Sequence, residues 1–242
     1  MIINMSLGGF PCFSAERAMT FASAGVIDLN LGKIHCGHVQ ICPQNGPEIV
    51  NERYIEHLQN LYPETSFRLH ANARILPHSM LFDLGSMERM PEYRKRLISL
   101  LKFLGEGYSI HSGRSETLEQ EIDRCKKLEE DSGVPVGIEG LYPGTNSPLS
   151  HWSSYEKLLK LDVRYAIDLS HLNIVRTKEG LLPEGLVEAL LINKNCMEVH
   201  LSGNNGQKDS HDPVGEGEWW LPFLKNINKN AVVFYEGRQR LK

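Results

Sequence analysis

The sequence predicts an α/β fold, a single (β/α)8 TIM-barrel domain spanning residues 1–242, on three observations. Short β-branched runs alternate with helix-period segments along the whole chain, and no low-complexity linker interrupts them. Eight strand candidates can be counted, the number at which parallel strands joined by right-handed crossovers close into a barrel. With 242 residues, 41% of them hydrophobic and 23% charged, the chain can bury one large core.

The first strand is read at Ile2–Leu7, ended by Gly8-Gly9, and a helix follows Ser14 as N-cap and runs to Gly25. Val26–Leu31 is the second strand, Lys33–Pro47 a loop rich in Gly, Cys and His, and Glu48–Leu61 a helix with Ile49, Ile55, Leu58 and Leu61 on one face. The third strand, Phe67–His70, leads through Asn72, Pro77 and Gly85 to a helix at Met90–Leu104, and Tyr108–His111 is the fourth strand. The segment TLEQEIDRCKKLEE forms a helix capped near Ser115, with Leu118, Ile122, Cys125 and Leu128 on one stripe and Gly133 and Pro135 at its end. The fifth strand is Val136–Glu139, followed by a helix around Ser153–Leu161, and the sixth is Val163–Asp168. A helix at Pro183–Ile192 precedes the seventh strand, Met197–Leu201, and a short helix near Trp219–Leu224 precedes the eighth, Ala231–Glu236. Because only six residues follow, a final outer helix is absent, and a second subunit is the expected cover for the exposed wall.

Composition narrows the partners. A formal net charge of -4 and a pI near 6.2 lack the basic footprint of a nucleic-acid binder. The five cysteines are odd in number, scattered and without CxxC spacing, which fits reduced thiols in a cytoplasm. The N-terminal MIINMSLGG has no basic start followed by an apolar core, and no apolar run approaches the roughly 18 residues of a membrane span.

The chemistry is concentrated at the strand ends, where barrel active sites are built. His70, His111, Glu139, Asp168, His200 and Glu236 close strands three to eight in turn. His171 follows three residues after Asp168, and Asp209 and His211 lie in the Gly/Asn-rich loop VHLSGNNGQKDSHDPVGEGE after strand seven. Each of these nine side chains, taken singly, reads as a capping or core residue; gathered at one barrel end, they read as metal ligands. Buried charges and imidazoles are costly unless paired or metal-bound. Mixed His and carboxylate donors suit zinc, manganese and iron alike, so the residues themselves do not select the metal.

This order of ligands resembles the nine-ligand pattern of endonuclease IV, the zinc-dependent apurinic-site nucleases of the xylose-isomerase-like TIM-barrel superfamily. The resemblance covers the barrel from strand three onward. It implies one ion held by His70, His111 and Glu139, a second by Glu139, Asp168, His200 and Glu236, and a third by His171, Asp209 and His211. Sugar isomerases and epimerases of the superfamily typically need only Glu139, Asp168, His200 and Glu236. EVHLSGN followed by DSHDPV is also similar to the multinuclear iron oxidases that modify ribosomal peptides, such as those of methanobactin biosynthesis.

A carboxylate-bridged ion cluster can acidify bound water and stabilise a leaving alkoxide, which is the multi-metal route to phosphoester cleavage. Glu139 and Glu236, with Arg114 and Arg238 at the mouth as anion clamps, are the candidate catalytic residues. The expected activity is hydrolysis of a phosphoester or related substrate. Iron-dependent oxidation of a peptide or small molecule, sugar isomerisation or epimerisation, and a silent metal-binding barrel remain as alternatives. His35, Cys36, His38 and Cys42 read as an ordinary loop, because their spacing matches no common zinc site. Trp219 and Trp220 read as packing residues, and no GxGxxG follows strand one, so no nucleotide cofactor is expected.

Overall fold

Eight parallel strands surround the core in the computed structural model, which describes residues 1–45, 48–77, 81–114, 117–180 and 183–239. The strands are β1 (Ile3–Ser6), β3 (Gly32–Ile41), β4 (Ser66–Leu69), β5 (Tyr108–His111), β6 (Val136–Glu139), β7 (Tyr165–Asp168), β8 (Cys196–Leu201) and β9 (Val232–Tyr235). A short β2 (Val26–Asp28) pairs antiparallel with β3 outside this ring. Parallel ladders join β4 to β3, β3 to β1, β1 to β9, and so on back through β8, β7 and β6 to β5. Among the described residues no ladder joins β4 to β5. The helices are α1 (Ala15–Ser23), α2 (Glu52–Leu61), α3 (Pro91–Leu104), α4 (Leu118–Ser132), α5 (Trp152–Leu158), α6 (Leu169–Glu179) and α7 (Leu186–Ile192). No helix among the described residues is long and apolar enough to cross a membrane.

Local chemistry sets many of these boundaries. Ser14 and Asn51 cap α1 and α2 by accepting the N–H groups of Arg17 and Tyr54, so α2 begins at Glu52 rather than Glu48. The Thr117 hydroxyl caps α4, and Gln120 returns to the Thr117 N–H; Ser115, the expected cap, lies outside the described residues. Gly105 and Gly133 end α3 and α4 in the left-handed conformation, where a Cβ is disfavoured.

Several expectations are corrected. The second barrel strand is Gly32–Ile41, within the segment read as a loop from Lys33 to Pro47, while Val26–Leu31 supplies only the outer β2. Gly, His and Cys mask the alternation of that strand, so His35, Cys36 and His38 lie on a strand and not in a loop; Gly46 and Pro47 lie outside the described residues. A helix, α6, starts directly after Asp168, and α7 is shorter than the expected Pro183–Ile192. The first seven residues of α6, LSHLNIV, are all buried, so the helix has no polar face to give it a readable stripe. The wall beside β9 is also not bare: Val233 and Tyr235 are 2% and 1% exposed within the single chain, and the Tyr235 hydroxyl donates to Asp28 Oδ2 at 2.8 Å. The expected short helix near Trp219 is a 3-10 turn over Leu221–Asn226, with Trp220 buried and Trp219 half-buried beside it.

Candidate metal centre

All nine predicted ligands reach the C-terminal mouth of the barrel. His111, Glu139, Asp168 and His200 lie at strand ends or, for His200, one residue before; His70 and Glu236 follow β4 and β9 by one residue. His171 sits on the first turn of α6, because Asp168 caps that helix: its Oδ1 accepts the N–H groups of Ser170 at 2.7 Å and His171 at 3.0 Å. The loop after β8 doubles back through the Gly203–Asp212 bridge and returns Asp209 and His211 to the mouth. His211 is held in the left-handed region at φ 48°, and its carbonyl accepts the Arg238 N–H at 2.8 Å.

Three buried triads have donor atoms within 4.8 Å of one another: His70, Glu139 and His200; Glu139, Asp168 and His171; Asp168, His200 and Glu236. His70 Nε2 lies 3.2 Å from Glu236 Oε1, and His200 Nδ1 lies 3.4 Å from Glu139 Oε1. His111 Nε2 reaches Glu139 Oε1 at 3.6 Å. Asp209 Oδ2 stands 3.4 Å from His171 Nε2 and 3.1 Å from His211 Nε2, while His211 Nδ1 is 3.5 Å from Glu236 Oε2. The triads share Glu139, Asp168 and His200, so they group the side chains differently from the sets implied by the resemblance.

The residues fit metal ions on a test independent of any relative. His200 Nδ1, Glu139 Oε2 and Glu236 Oε2 are buried at the centre of this cluster without a hydrogen-bond partner, an arrangement that costs free energy unless something occupies it. The outward nitrogens of the histidines are tied down: His70 Nδ1 lies 2.8 Å from the Ala71 carbonyl, His171 Nδ1 2.9 Å from the Gly140 carbonyl, and His111 Nδ1 3.3 Å from the Asn72 side-chain amide. Each ring therefore turns its Nε2 inward, as second-contact partners do for metal-bound imidazoles.

The charges bear the same stamp. Burial opposes ionisation of His200, but the carboxylates of Glu236 and Glu139 overcome it and raise the imidazole well above its ordinary range. Burial likewise opposes His171 and His211, which Asp168 and Asp209 respectively help raise to about 10 and about 9. Glu236 falls to about 2 because His200 and His70 outweigh its burial, and Glu139 falls well below the carboxylate range through His200 and His111. Asp209 falls too, its burial overcome by His171 and His211. Asp168 moves the other way: burial outweighs the pull of His171, and Asp209 adds repulsion. An ion taking these donors would displace protons from the raised histidines.

A cavity of about 420 Å³ opens above the cluster and is lined by eight of the nine ligands, with Leu81, Arg114, Leu141 and Tyr142 on its walls. Arg238 lies instead beside a smaller adjoining cavity with Cys42, His70, His211 and Glu236. The edge of the Tyr142 ring contacts His171, their centroids 5.2 Å apart.

Solved structures share this architecture. A D-tagatose 3-epimerase-like protein is 20% identical with a TM-score of 0.67, the match covering 99% of this chain and 92% of that one. A xylose isomerase domain containing protein from Salmonella typhimurium LT2 is 12% identical with a TM-score of 0.67, covering 97% and 87%. The fold is that of the xylose-isomerase-like TIM barrels. An AP endonuclease, family 2, from Brucella melitensis is 15% identical with a TM-score of 0.64, covering 100% of this barrel and 95% of its own chain. Comparisons with family models and with curated proteins give no match.

Sequence reasoning missed the layer beneath the ligands. Gln40, Arg68, Ser109 and Glu198 are buried, polar and hydrogen-bonded to one another through Glu198. Strand alternation was the available signal: Arg68, Ser109 and Glu198 each stand two residues before a ligand, on the same face.

Proposed function

We propose that this xylose-isomerase-like barrel is a metal-dependent hydrolase holding two or three divalent ions and acting on a phosphoester or related substrate. The observation that carries the reading is the presence of three buried donor triads linked pairwise through Glu139, Asp168 and His200, six side chains where a tetrahedral zinc uses four, with His111, Asp209 and His211 beside them. Bound ions would supply a Lewis acid for a phosphoryl oxygen and water of lowered pKa at the floor of the cavity. The chain's own contribution is placement. Glu139, Asp168, His200 and Glu236 would hold the shared ions, and His70, His111, His171, Asp209 and His211 the outer positions. Arg114 on the cavity wall and Arg238 beside it would clamp the substrate anion. Leu81, Leu141 and Tyr142 would pack against the leaving group and limit water. A cavity of about 420 Å³ suits a small molecule or a single terminal group better than a duplex.

A ketose epimerase or isomerase is the second reading. It is favoured by likeness to structures described as a D-tagatose 3-epimerase-like protein and an L-ribulose 3-epimerase, the latter with a TM-score of 0.63. Here Glu139 and Glu236 would exchange the proton. Elemental analysis of protein purified without added metal, followed by phosphomonoester, phosphodiester, abasic-oligonucleotide and ketose panels, separates the readings. Zinc or manganese with phosphoester turnover supports the hydrolase; ketose turnover without phosphoester turnover replaces it with the epimerase. Iron with O2 uptake identifies an oxidase, and an ion-free protein that takes up none ends the metal reading.

A further inference from the structure

We infer that Glu198 is a positioning residue that fixes the His200 ring with Nε2 protonated and Nδ1 presented to the ions. The inference rests on the metal-binding reading. Glu198 and His200 lie two residues apart on β8, both fully buried, and Glu198 Oε1 is 2.6 Å from His200 Nε2. The same oxygen receives the Gln40 side-chain amide at 2.9 Å and the Ser109 hydroxyl at 3.0 Å, while Oε2 is paired with Arg68 Nη1. Partners from β3, β4, β5 and β8 therefore pin one carboxylate inside the barrel.

An ionised carboxylate accepts only, so the imidazole nitrogen facing it must carry hydrogen. Nδ1 is then left for an ion, and it is the nitrogen that lacks a hydrogen-bond partner, 3.4 Å from Glu139 and 3.7 Å from Glu236. The arrangement cannot easily relax. Turning Glu198 away would strand the buried Arg68 guanidinium, and turning His200 would lose the 2.6 Å contact. His70 and His171 lean instead on the backbone carbonyls of Ala71 and Gly140, which no side-chain substitution removes. His200, in two of the three triads, is the ligand whose orientation depends on another acid.

The test compares Co2+ and Zn2+ affinity, by competition with a chromophoric chelator, in the parent protein and Glu198→Gln. Glutamine keeps an acceptor oxygen but loses the charge that fixes the tautomer of the ring, and loss of that anionic partner behind a metal-bound histidine is expected to weaken affinity by about 10- to 100-fold with the circular dichroism spectrum unchanged. Should Glu198→Gln not fold, the double variant R68M with E198M removes both charges together and should show the same loss. Nitrogen NMR of the Zn2+-loaded parent gives a readout that packing alone would not set: His200 should carry its proton on Nε2 and show the metal shift at Nδ1. Affinity within twofold of the parent in a folded variant, or a metal-shifted Nε2, would overturn the inference while leaving the metal reading intact. A parent protein that binds neither ion would end both.

Discussion

Replacing Glu121 by glutamine should flatten part of the pH dependence of folding stability. Glu121 projects from α4 and is fully buried, and its Oε2 accepts the Gly113 N–H at 2.5 Å, two residues beyond the candidate ligand His111. Burial pushes its carboxyl from 4.5 up to about 7, against the Gly113 N–H hydrogen bond that pulls it down. The folded protein thus keeps this proton over a range in which the unfolded chain releases it. The resulting stabilisation is fully present below the unfolded value of 4.5 and is lost as pH rises through about 7. At 1.36 kcal/mol per pH unit, the gap is worth ~3 kcal/mol. A glutamine keeps the acceptor oxygen and never ionises. Urea titrations with a chelator present, near pH 5 and again near pH 8, should show the variant gaining ~3 kcal/mol on the parent between the two. Contributions from the rest of the chain are common to both proteins and cancel in the difference. Parallel pH slopes in parent and variant would refute the reasoning.

Two further outcomes are expected. Glu139→Gln removes a donor common to two triads, so metal content by mass spectrometry should fall by at least one ion per chain; unchanged content would remove Glu139 from the centre. Gly113→Ala would press a methyl group into the Gly85 backbone and Glu121, and should lower stability by roughly 1–3 kcal/mol in thermal melts; an unchanged melting temperature would show that the two mouth loops do not pack as described.

The site was more legible in the sequence than the elements that carry it. Ligand-type residues at successive strand ends stand out because a strand end is a poor place for a lone imidazole or carboxylate, and all nine converge. The strand Gly32–Ile41 was hidden because GKIHCGHVQI offers few β-branched residues, and its polar Gln40 faces Glu198 within the barrel rather than water. The helix α6 was hidden because burial on all sides removes the hydrophobic contrast that periodicity needs. Glu198 and Arg68 escaped for a related reason. A charged pair inside a barrel contradicts the usual apolar filling, and only the alternation from His70 and His200 reveals where those side chains point.

The unladdered junction between β4 and β5 has a chemical consequence for the two histidines that flank it. His70 and His111, with ring centroids 5.8 Å apart, face each other across the only slit among the described strands. Their spacing can widen or narrow by yielding side-chain contacts such as Asn72 to His111, without breaking a single backbone bond. Should ions bind as proposed, differences in ionic radius would be accommodated along this slit, while the laddered remainder of the ring would keep Glu139, Asp168 and His200 at fixed separation.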